Sequence, residues 1–337
     1  MVVCVLRTLF SLLVLLACST LAVAEKAYID NGNVRLGIDL DHGGTICFLS
    51  SGSESESDNM VNVHDLGRYI QQSYYAGQSI DRRSEGQHKN FSPWRWNPIQ
   101  AGGIGSVDDP PHPNSSAEIL DFQRDENYMY IKCIPRLWDM PGETAECIFE
   151  QWMWLESKSV RVKNKVTIQR TDEIWKEGIA ASQELPAVYP VARLRSCYAY
   201  TGDTPWTGDT LQKMPEHPEG YIKGLSPTQK NGFPWVGFKP TEPWAACVNP
   251  GTGEGFGVYS PTATARWLCG FVDHFKKDEN RDGATANSTS YIAPLARVTL
   301  NKNSTYEYEY HLFTGTVHEI RDAVYRKAGK TLPKPTR

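Results

Sequence analysis

The densest group of side chains able to take part in chemistry lies between His64 and Tyr75. Within this stretch, Arg68 can hold a carboxylate through two parallel hydrogen bonds, which a lysine cannot do. Gln71 and Gln72 are amides that can bind substrate, and His64 or Tyr75 can transfer a proton. An elimination reaction next to a carboxylate requires these three functions together. The same residues also fit a turn held by a local ion pair and followed by an ordinary strand, so both interpretations stay open.

A second candidate is Glu184, which stands among apolar residues close to Pro186 and Pro190. A carboxyl group in apolar surroundings has a raised pKa, and such a group is suited to acid or base catalysis. We therefore predict a catalytic role for Glu184, together with His64, Arg68 and Tyr75. An exposed loop acid without a chemical role is the alternative.

Aromatic residues form a third group. Trp94 and Trp96 lie close to Asn97 in a segment rich in glycine and proline. Indole rings stack on the flat faces of sugar rings, and an amide can bind sugar hydroxyls, so these three residues are predicted to bind substrate. The group has eight tryptophans, of which half are expected in the core. The other six members are Trp138, Trp152, Trp154, Trp206, Trp235 and Trp244.

The first 24 residues carry the pattern of a secretory signal peptide. A basic residue is followed by the apolar run at positions 9–17, and Ala22-Val23-Ala24 precedes Glu25. The apolar run is too short to span a bilayer, which needs about 20 such residues. We therefore predict a secreted, extracellular protein without a membrane segment after cleavage. A retained membrane anchor and a lipoprotein attached through Cys18 are the alternatives.

Export would change how the cysteines and asparagines are interpreted. Cys4 and Cys18 would leave with the signal peptide, and six cysteines would remain. An even number of cysteines in an exported chain favours disulfides, and we predict Cys133–Cys147 first, with buried free thiols as the alternative. Asn-x-Ser/Thr motifs predict glycosylation at four positions, which are Asn90, Asn114, Asn287 and Asn303.

The chain's overall charge is mildly acidic. Its formal net charge is −4, and it becomes −5 once Arg7 is removed with the signal peptide. Proteins that bind nucleic acids usually present a basic face, so a nucleic-acid partner is not expected. The sequence lacks a phosphate-binding loop, a dinucleotide fingerprint, an H-E-x-x-H motif and a G-x-S-x-G motif, and no cofactor or metal site is predicted.

The elements that must position these residues are mainly strands. Alternation of apolar and polar residues predicts strands in seven-to-nine-residue runs, which are 34–40, 128–134, 147–155, 160–168 and 305–313, with a returning strand at 45–49. A helical pattern occurs only at 317–327, near the end. This order predicts an all-β fold, mainly antiparallel, in which a large β-sandwich is followed by a short C-terminal helix.

The domain prediction is a single β-sandwich over residues 25–329, followed by a tail at 330–337. Two segments lack a clear period. Residues 50–58 are rich in serine and acids and predict a solvated hairpin loop, with a mineral- or calcium-binding loop as an alternative. Residues 82–113 form a long stretch rich in glycine, proline and tryptophan, which is typical of a functional loop.

Three stretches resemble galactose-mutarotase-like sandwich domains. They are a strand followed by Gly43-Gly44 and a returning strand, the strands of 149–168, and the turn and strand of 254–259. The resemblance implies a mutarotase-like supersandwich and makes carbohydrate a favoured ligand. The catalytic histidine pair and glutamate of the epimerases do not match this sequence in order or context, so no catalytic residue is carried over from them.

Together these observations predict a secreted carbohydrate-binding or carbohydrate-processing protein that acts on acidic polysaccharide. If it is an enzyme, a polysaccharide lyase is the favoured class, because Arg68 can neutralise a uronate carboxylate. The alternative is a non-catalytic glycoprotein of an extracellular or mineralised matrix. Glycans or matrix components are the expected partners in either case, and the sequence predicts no oligomeric state.

Overall fold

The computed structural model describes residues 25–104, 114–215, 235–273 and 280–331. The predicted signal peptide and most of the predicted C-terminal tail lie outside these residues. The strands are β1 (Lys26–Asp30), β2 (Arg35–Asp39), β3 (Thr45–Ser50), β4 (Ile70–Ser73), β5 (Ala76–Ile80), β6 (Trp94–Trp96), β7 (Pro98–Ile99), β8 (Gly102–Gly103), β9 (Ser115–Ser116), β10 (Glu118–Asp125), β11 (Tyr128–Ile134), β12 (Arg136–Leu137), β13 (Met140–Thr144), β14 (Cys147–Glu156), β15 (Ser159–Ile168), β16 (Ala180–Val188), β17 (Ser196–Ala199), β18 (Gln212–Lys213), β19 (Val236–Phe238), β20 (Trp244–Val248), β21 (Glu254–Tyr259), β22 (Trp267–Val272), β23 (Thr289–Ala293), β24 (Leu295–Thr299) and β25 (Thr305–Thr316). The helix is α1 (Val317–Lys327).

Two large sheets make up the sandwich in the described part of the chain. The first has twelve strands and runs β1-β2-β3-β4-β16-β23-β22-β19, with β7, β12, β13 and β24 attached beside this path. The second has nine strands in the order β10-β11-β14-β15-β25-β21-β20-β17-β18. Neighbouring strands pair antiparallel, for example β14 with β15 and β16 with β24. The fold is therefore the mainly antiparallel all-β sandwich that the sequence predicts.

The main core fills the space between the two sheets. Alternate residues of each strand point inward, as the period of a strand requires. Ile70, Leu185 and Ile292 come from the twelve-stranded sheet, and Phe149 and Leu312 come from the nine-stranded sheet. Their neighbours in sequence therefore point to the outer faces, and this alternation decides which polar residues reach the surface.

The helix α1 packs on the outer face of the nine-stranded sheet. Ile320 and Val324 contact a cluster that includes Trp244 and Phe313. Thr316 caps the helix, because its side chain accepts a hydrogen bond from the backbone N–H of Glu319 while the Glu319 carboxylate accepts one from the backbone N–H of Thr316. Its bounds are those the periodicity predicts.

The strongest strand patterns are confirmed, and one covalent prediction is corrected. The predicted strand at 128–134 is β11, and 305–313 falls within β25. The predicted disulfide is absent, since Cys133 and Cys147 are both buried free thiols. Cys133 pairs in register with Phe149 and not with Cys147. Diagonal neighbours on paired strands lie about 7–8 Å apart, beyond the usual span of a disulfide.

Within the described residues, no helix combines the length and the apolar character needed to cross a bilayer.

Candidate functional site

Three of the four predicted catalytic residues, Arg68, Tyr75 and Glu184, come together at the outer face of the twelve-stranded sheet. Glu184 on β16 lies opposite Ser73 on β4 and opposite Leu295 on β24. Because Leu185 and Ile292 point into the core, Glu184 and Tyr291 point outward from neighbouring strands. We use the name Glu184 cluster for the residues around this carboxyl group, which are Arg68, Tyr75, Trp94, Glu184, Tyr189, Trp235 and Tyr291.

Glu184 is the centre of the cluster. One carboxylate oxygen, Oε2, accepts a hydrogen bond from the hydroxyl of Tyr75 at 3.0 Å, and the other accepts one from the hydroxyl of Tyr291. Burial raises the pKa of Glu184 above its ordinary value, and the tyrosine and Ser73 hydroxyls oppose that rise. The residue nevertheless keeps intermediate exposure. Glu184 is thus a carboxyl group with a raised pKa on a residue that is only partly buried.

Tyr75 is held in place by Gln183, the residue before Glu184. The Gln183 amide accepts a hydrogen bond from the Tyr75 backbone N–H at 2.7 Å and donates one to the Tyr75 carbonyl at 2.8 Å. The Tyr75 ring meets Trp94 edge to face, with 6.4 Å between centroids. Burial, followed by the charge of Glu184, raises the pKa of Tyr75 well above its ordinary value. Tyr75 is therefore a neutral phenol, and its hydroxyl proton lies in the hydrogen bond to Glu184.

Arg68 joins the cluster through Tyr189. The guanidinium carbon of Arg68 lies 5.4 Å from the centre of the Tyr189 ring, and that ring lies 4.8 Å from the ring of Tyr291. Arg68 Nε donates to Asp65 Oδ2 at 3.3 Å, and Nη2 lies 3.4 Å from the backbone carbonyl of Asn287. The guanidinium is mostly buried, with 13% of the side chain exposed, so it provides an oriented positive charge beside the aromatic rings.

An aromatic wall continues from Tyr189. The rings of Trp235 and Tyr291 stack with 4.4 Å between their centroids, and Tyr189 meets Trp235 edge to face. Trp235 and Tyr291 are nearly buried, whereas Tyr189 and Trp94 keep intermediate exposure. The exposed parts of the cluster therefore combine apolar ring surface with a carboxyl group, a phenol and a guanidinium.

His64 lies on the surface next to this cluster in sequence but makes different contacts. Its ring is exposed, and Nδ1 donates to the backbone carbonyl of Thr285 at 2.9 Å. The segment 280–288 thus contacts both His64, through Thr285, and Arg68, through Asn287. These contacts place His64 near the Arg68 side of the cluster and give it no contact with Glu184.

The two predicted binding glutamines are fully buried. Gln71 donates to the backbone carbonyls of Leu66 and Arg68, and its oxygen accepts from the backbone N–H of Ala101. Gln72 donates to the carbonyl of Glu150 on the opposite sheet at 3.2 Å. Their amides hold the loop before β4 and the two sheets together, and neither reaches the surface.

The tryptophan platform is divided between surface and core. Trp96 is buried to 1% exposure and lies under the guanidinium of Arg170. Asn97 is buried as well, and its Oδ1 accepts a hydrogen bond from the indole N–H of Trp94 at 3.1 Å. Asn97 also donates to the hydroxyl of Ser73. Trp94 alone of the three keeps appreciable exposure, and Asn97 orients it.

A second surface depression is lined by Trp96, Trp175 and several acidic residues. The acidic side chains in it already have protein partners, which makes it a weaker candidate for a binding site. Glu143 binds Arg82 at 2.7 Å, and Glu146 accepts from the backbone and hydroxyl of Thr171. Across the described ranges, no set of three or more histidine, cysteine, aspartate or glutamate side chains is placed to hold a metal ion.

Nothing in the sequence indicated Tyr291, whose hydroxyl donates a hydrogen bond to Glu184 from a strand more than a hundred positions away. Nor did the sequence indicate the contact between Arg68 and Asn287, where a predicted glycosylation site meets a predicted catalytic residue. The other three glycosylation motifs have exposed asparagines at 90, 114 and 303.

No family model matches the chain, and no curated protein is significantly similar to it. Solved structures with a similar fold include galactose-mutarotase-like chains, as the sequence resemblance implies. A candidate aldose 1-epimerase of Escherichia coli K12 has 12% identity and a TM-score of 0.49, with 88% of this chain and 100% of that chain covered. A galactose mutarotase related enzyme of Lactobacillus acidophilus has 9% identity and a TM-score of 0.48, covering 86% and 97%.

A galactose mutarotase-like protein of Lactobacillus casei has 10% identity and a TM-score of 0.46, with 86% of this chain and all of that chain covered. At such identities and TM-scores, the likeness says nothing about the activity of this chain or about the role of any of its residues.

Proposed function

We propose that this chain is an exported carbohydrate-processing protein that binds a sugar polymer over the Glu184 cluster. The observation that carries the proposal is the Glu184 carboxyl group, which has a raised pKa, is hydrogen-bonded to two tyrosines and belongs to a residue of intermediate exposure. Perturbed carboxyl groups of this kind concentrate at catalytic sites.

The surroundings of Glu184 support a carbohydrate as the ligand. Trp94 contacts the ring of Tyr75, Tyr189 contacts the ring of Tyr291, and both residues are partly exposed. The C–H faces of sugars stack on aromatic rings of this kind. Carboxylate, phenol and amide groups bind sugar hydroxyls. The combination of a few convergent polar groups with aromatic walls is typical of a small-molecule or polymer binding site.

Arg68 supports an acidic polymer as the substrate. Its guanidinium already has one carboxylate partner in Asp65, and the fork of five N–H donors allows a second anion to bind. A uronate carboxylate bound there would be partly neutralised, which makes the adjacent ring proton easier to remove.

The proton-transfer roles rest on the contact between Glu184 and Tyr75 and on the directions of their pKa values. Burial raises the pKa of Glu184 above its ordinary value, which makes its carboxylate a stronger base for the ring proton next to the uronate carboxyl. Burial and the charge of Glu184 raise the pKa of Tyr75, so the phenol holds its proton until negative charge develops on the departing glycosidic oxygen, and it then donates the proton there. The C–H and C–O bonds break, a ring C=C bond forms, and the polymer is divided into a reducing end and an unsaturated end. A second proton transfer through solvent then restores Glu184 and Tyr75.

The test is incubation of the purified protein with a panel of uronate polymers, while the ultraviolet absorbance of the unsaturated product is recorded. Glu184→Gln and Tyr75→Phe are expected to lower the rate by about 10²–10⁴-fold, the usual contribution of an acid or base. Glu150→Gln is the matched control, since Glu150 also accepts a tyrosine hydrogen bond, from Tyr130 at 2.9 Å, but lies on the other sheet.

The outcomes separate the possibilities. Product formation that Glu184→Gln removes and Glu150→Gln preserves supports the lyase assignment. Binding of a polymer without product, lost on replacement of Trp94 and Arg68, would leave a carbohydrate-binding protein and reject the lyase. Neither binding nor product across neutral and acidic glycans would reject the carbohydrate proposal.

A further inference from the structure

Three buried cysteines meet between the two sheets, away from the Glu184 cluster. Cys197 lies on β17 and Cys247 on β20 of the nine-stranded sheet, and Cys269 lies on β22 of the facing sheet. All three belong to the main core, and their exposed fractions are at most 4%. Cys197 is within hydrogen-bonding reach of both other thiols.

The register places Cys197 directly opposite Cys247. The backbone hydrogen bonds show which kind of pair this is. The Cys197 carbonyl accepts from the Met214 N–H at 2.8 Å, so Cys197 makes its ladder bonds toward β18. The Asn249 N–H donates to the Glu254 carbonyl, so the backbone groups of Asn249 point toward β21. Backbone hydrogen bonds alternate in direction along an antiparallel strand, so the backbone groups of Cys247, two residues earlier, also point toward β21 and away from β17.

Cys197 and Cys247 are therefore a non-hydrogen-bonded pair of neighbouring antiparallel strands. In such pairs the Cα atoms are about 4.5 Å apart and the side chains approach each other most closely. A disulfide needs a Cα separation of about 4.4–6.8 Å, so the backbone already meets this requirement. Cys269 comes from the facing sheet, and packed sheets lie about 10 Å apart, which leaves it less well placed.

From this geometry we propose that Cys197 and Cys247 form a cross-strand disulfide when the chain folds in the presence of a disulfide oxidant such as oxidised glutathione. The thiolate of one cysteine attacks the oxidant, which releases one glutathione thiol and leaves a mixed disulfide. The second cysteine attacks that bond and releases the second thiol. The two cysteines lose two electrons and two protons, and the oxidant gains them.

The structure has all three cysteines as buried free thiols, with exposed fractions of at most 4%. An oxidant such as glutathione disulfide therefore reaches them only before the two sheets have closed over them. The exchange belongs to folding, and either Cys197 or Cys247 can attack the oxidant first, because the thiolate of each is the nucleophile.

The experiment is refolding of the chain in a glutathione redox buffer, followed by acid trapping, alkylation under denaturing conditions and digestion with trypsin. The three cysteines fall in separate peptides, namely 196–213, 231–266 and 267–276. The expected result is a linked peptide pair containing Cys197 and Cys247, whose mass is lower than the sum of the two by two hydrogen atoms. Reduction should separate the pair.

Matched variants make the assignment specific. Cys247→Ser should abolish the link, while Cys269→Ser and Cys133→Ser should leave it intact. A variant that does not refold would not decide the question, so the wild-type peptide map is the primary measurement. A link from Cys197 to Cys269, a link between any other pair, or complete alkylation of every cysteine in the refolded wild type would overturn the proposal.

Discussion

Single titratable side chains give this molecule an identifiable pH dependence, and Glu184 is the first. Its folded-state pKa is raised by burial. A carboxyl group with a raised folded pKa stabilises the fold below its unfolded pKa, and that contribution is lost as the pH rises through the folded pKa. Wild-type protein should therefore lose stability relative to Glu184→Gln as the pH is raised above the ordinary carboxyl range.

Urea unfolding of the two proteins at a series of pH values measures this difference. Glu150→Gln is again the control. Burial of Glu150 is outweighed by the hydrogen bonds from Lys165 and Tyr130, so the pKa of Glu150 is lowered. Wild-type protein should therefore gain stability relative to Glu150→Gln as the pH rises through the carboxyl range, the opposite of the change expected for Glu184→Gln. Parallel curves for wild type and Glu184→Gln would mean that Glu184 carries no raised pKa.

The protonation of His311 should destabilise the fold in acid, whereas that of His42 should stabilise it, because their pKa values are shifted in opposite directions. Burial, and then the charge of Lys327, lower the pKa of His311 to about 4, although Glu309 and Glu156 lie nearby. The unfolded chain takes up a proton near the ordinary value, so stability is lost as the pH falls from about 6.5 to about 4, by up to about 3 kcal/mol. His311→Gln should flatten this fall in urea unfolding.

His42 provides the comparison. Its Nδ1 lies 2.9 Å from Asp39 Oδ2, and that hydrogen bond raises the pKa of His42. The stabilisation that this hydrogen bond gives to the fold is present in acid and is lost as the pH rises through the raised pKa of His42. His42→Gln should therefore lower the free energy of unfolding mainly at low pH. An equal effect of both variants at every pH would contradict the two assignments.

Among single residues, the sequence predicted Glu184, Tyr75 and Arg68 as catalytic, and the structure brings the three together; their catalytic role stays a prediction. The sequence could not identify Gln71 and Gln72 as structural, since a buried amide and a ligand-binding amide have the same chemistry. Only the partners Leu66, Ala101 and Glu150, distant in part along the chain, decide between the two.

Among the secondary-structure elements, α1 is joined to the rest of the protein by a buried carboxylate, in addition to its apolar packing. Glu242 has no exposed surface, and its Oε1 accepts hydrogen bonds from Arg321 at 3.0 Å and from the hydroxyl of Tyr325 at 2.5 Å. The same oxygen accepts from the Trp206 backbone N–H, and Oε2 accepts from the Trp244 indole. The carboxylate therefore joins α1 to β20 and to the loop around position 206.

Glu242→Ala is expected to destabilise the protein by about 3–5 kcal/mol, because it leaves the Arg321 guanidinium buried without its anion. Chemical unfolding monitored by tryptophan fluorescence measures the loss. Thr316→Ala removes only the helix cap and should cost about 0.5–2 kcal/mol. If the two variants lose similar stability, the carboxylate does not have this role.

The strand patterns also show what local sequence can establish. Two-residue alternation predicted β11, β14, β15 and β25, whose inward-facing residues are mainly apolar. Their faces are not strictly divided, because Gln151 and Asn164 are buried and Trp152 and Trp154 lie on the outer side of β14. The same rule could not show that β16 pairs with β4, β23 and β24, because pairing between distant strands leaves no local period. The Glu184 cluster is built from those pairings, which is why its membership was only partly predictable.

For the molecule as a whole, export is the proposal with the widest consequences. When the full chain is expressed in a eukaryotic secretory cell, it should appear in the medium without residues 1–24. β1 begins at Lys26, directly after the predicted cleavage point. N-terminal sequencing of the secreted protein should begin at Glu25, and recovery of the chain only inside the cell would contradict export.

Glycan occupancy should differ among the four motifs. Asn90, Asn114 and Asn303 are exposed, whereas Asn287 is partly buried, its side-chain oxygen lies 3.5 Å from an Arg68 nitrogen, and Thr289 of the same motif is fully buried. A glycan on Asn287 would separate it from Arg68, so we expect low occupancy there and high occupancy at the other three. Site-by-site mass spectrometry after enzymatic deglycosylation measures this, and full occupancy at Asn287 would contradict the contact with Arg68.

The position of α1 has a practical consequence. It packs on the outer face of the nine-stranded sheet, while Glu184 opens on the outer face of the twelve-stranded sheet, so the two lie on opposite sides of the sandwich. A tag or tether joined after α1 would attach the molecule to a bead or sensor chip through the side that carries the nine-stranded sheet. The Glu184 cluster on the opposite side would then face the solution, where long polymers could bind without contact with the support.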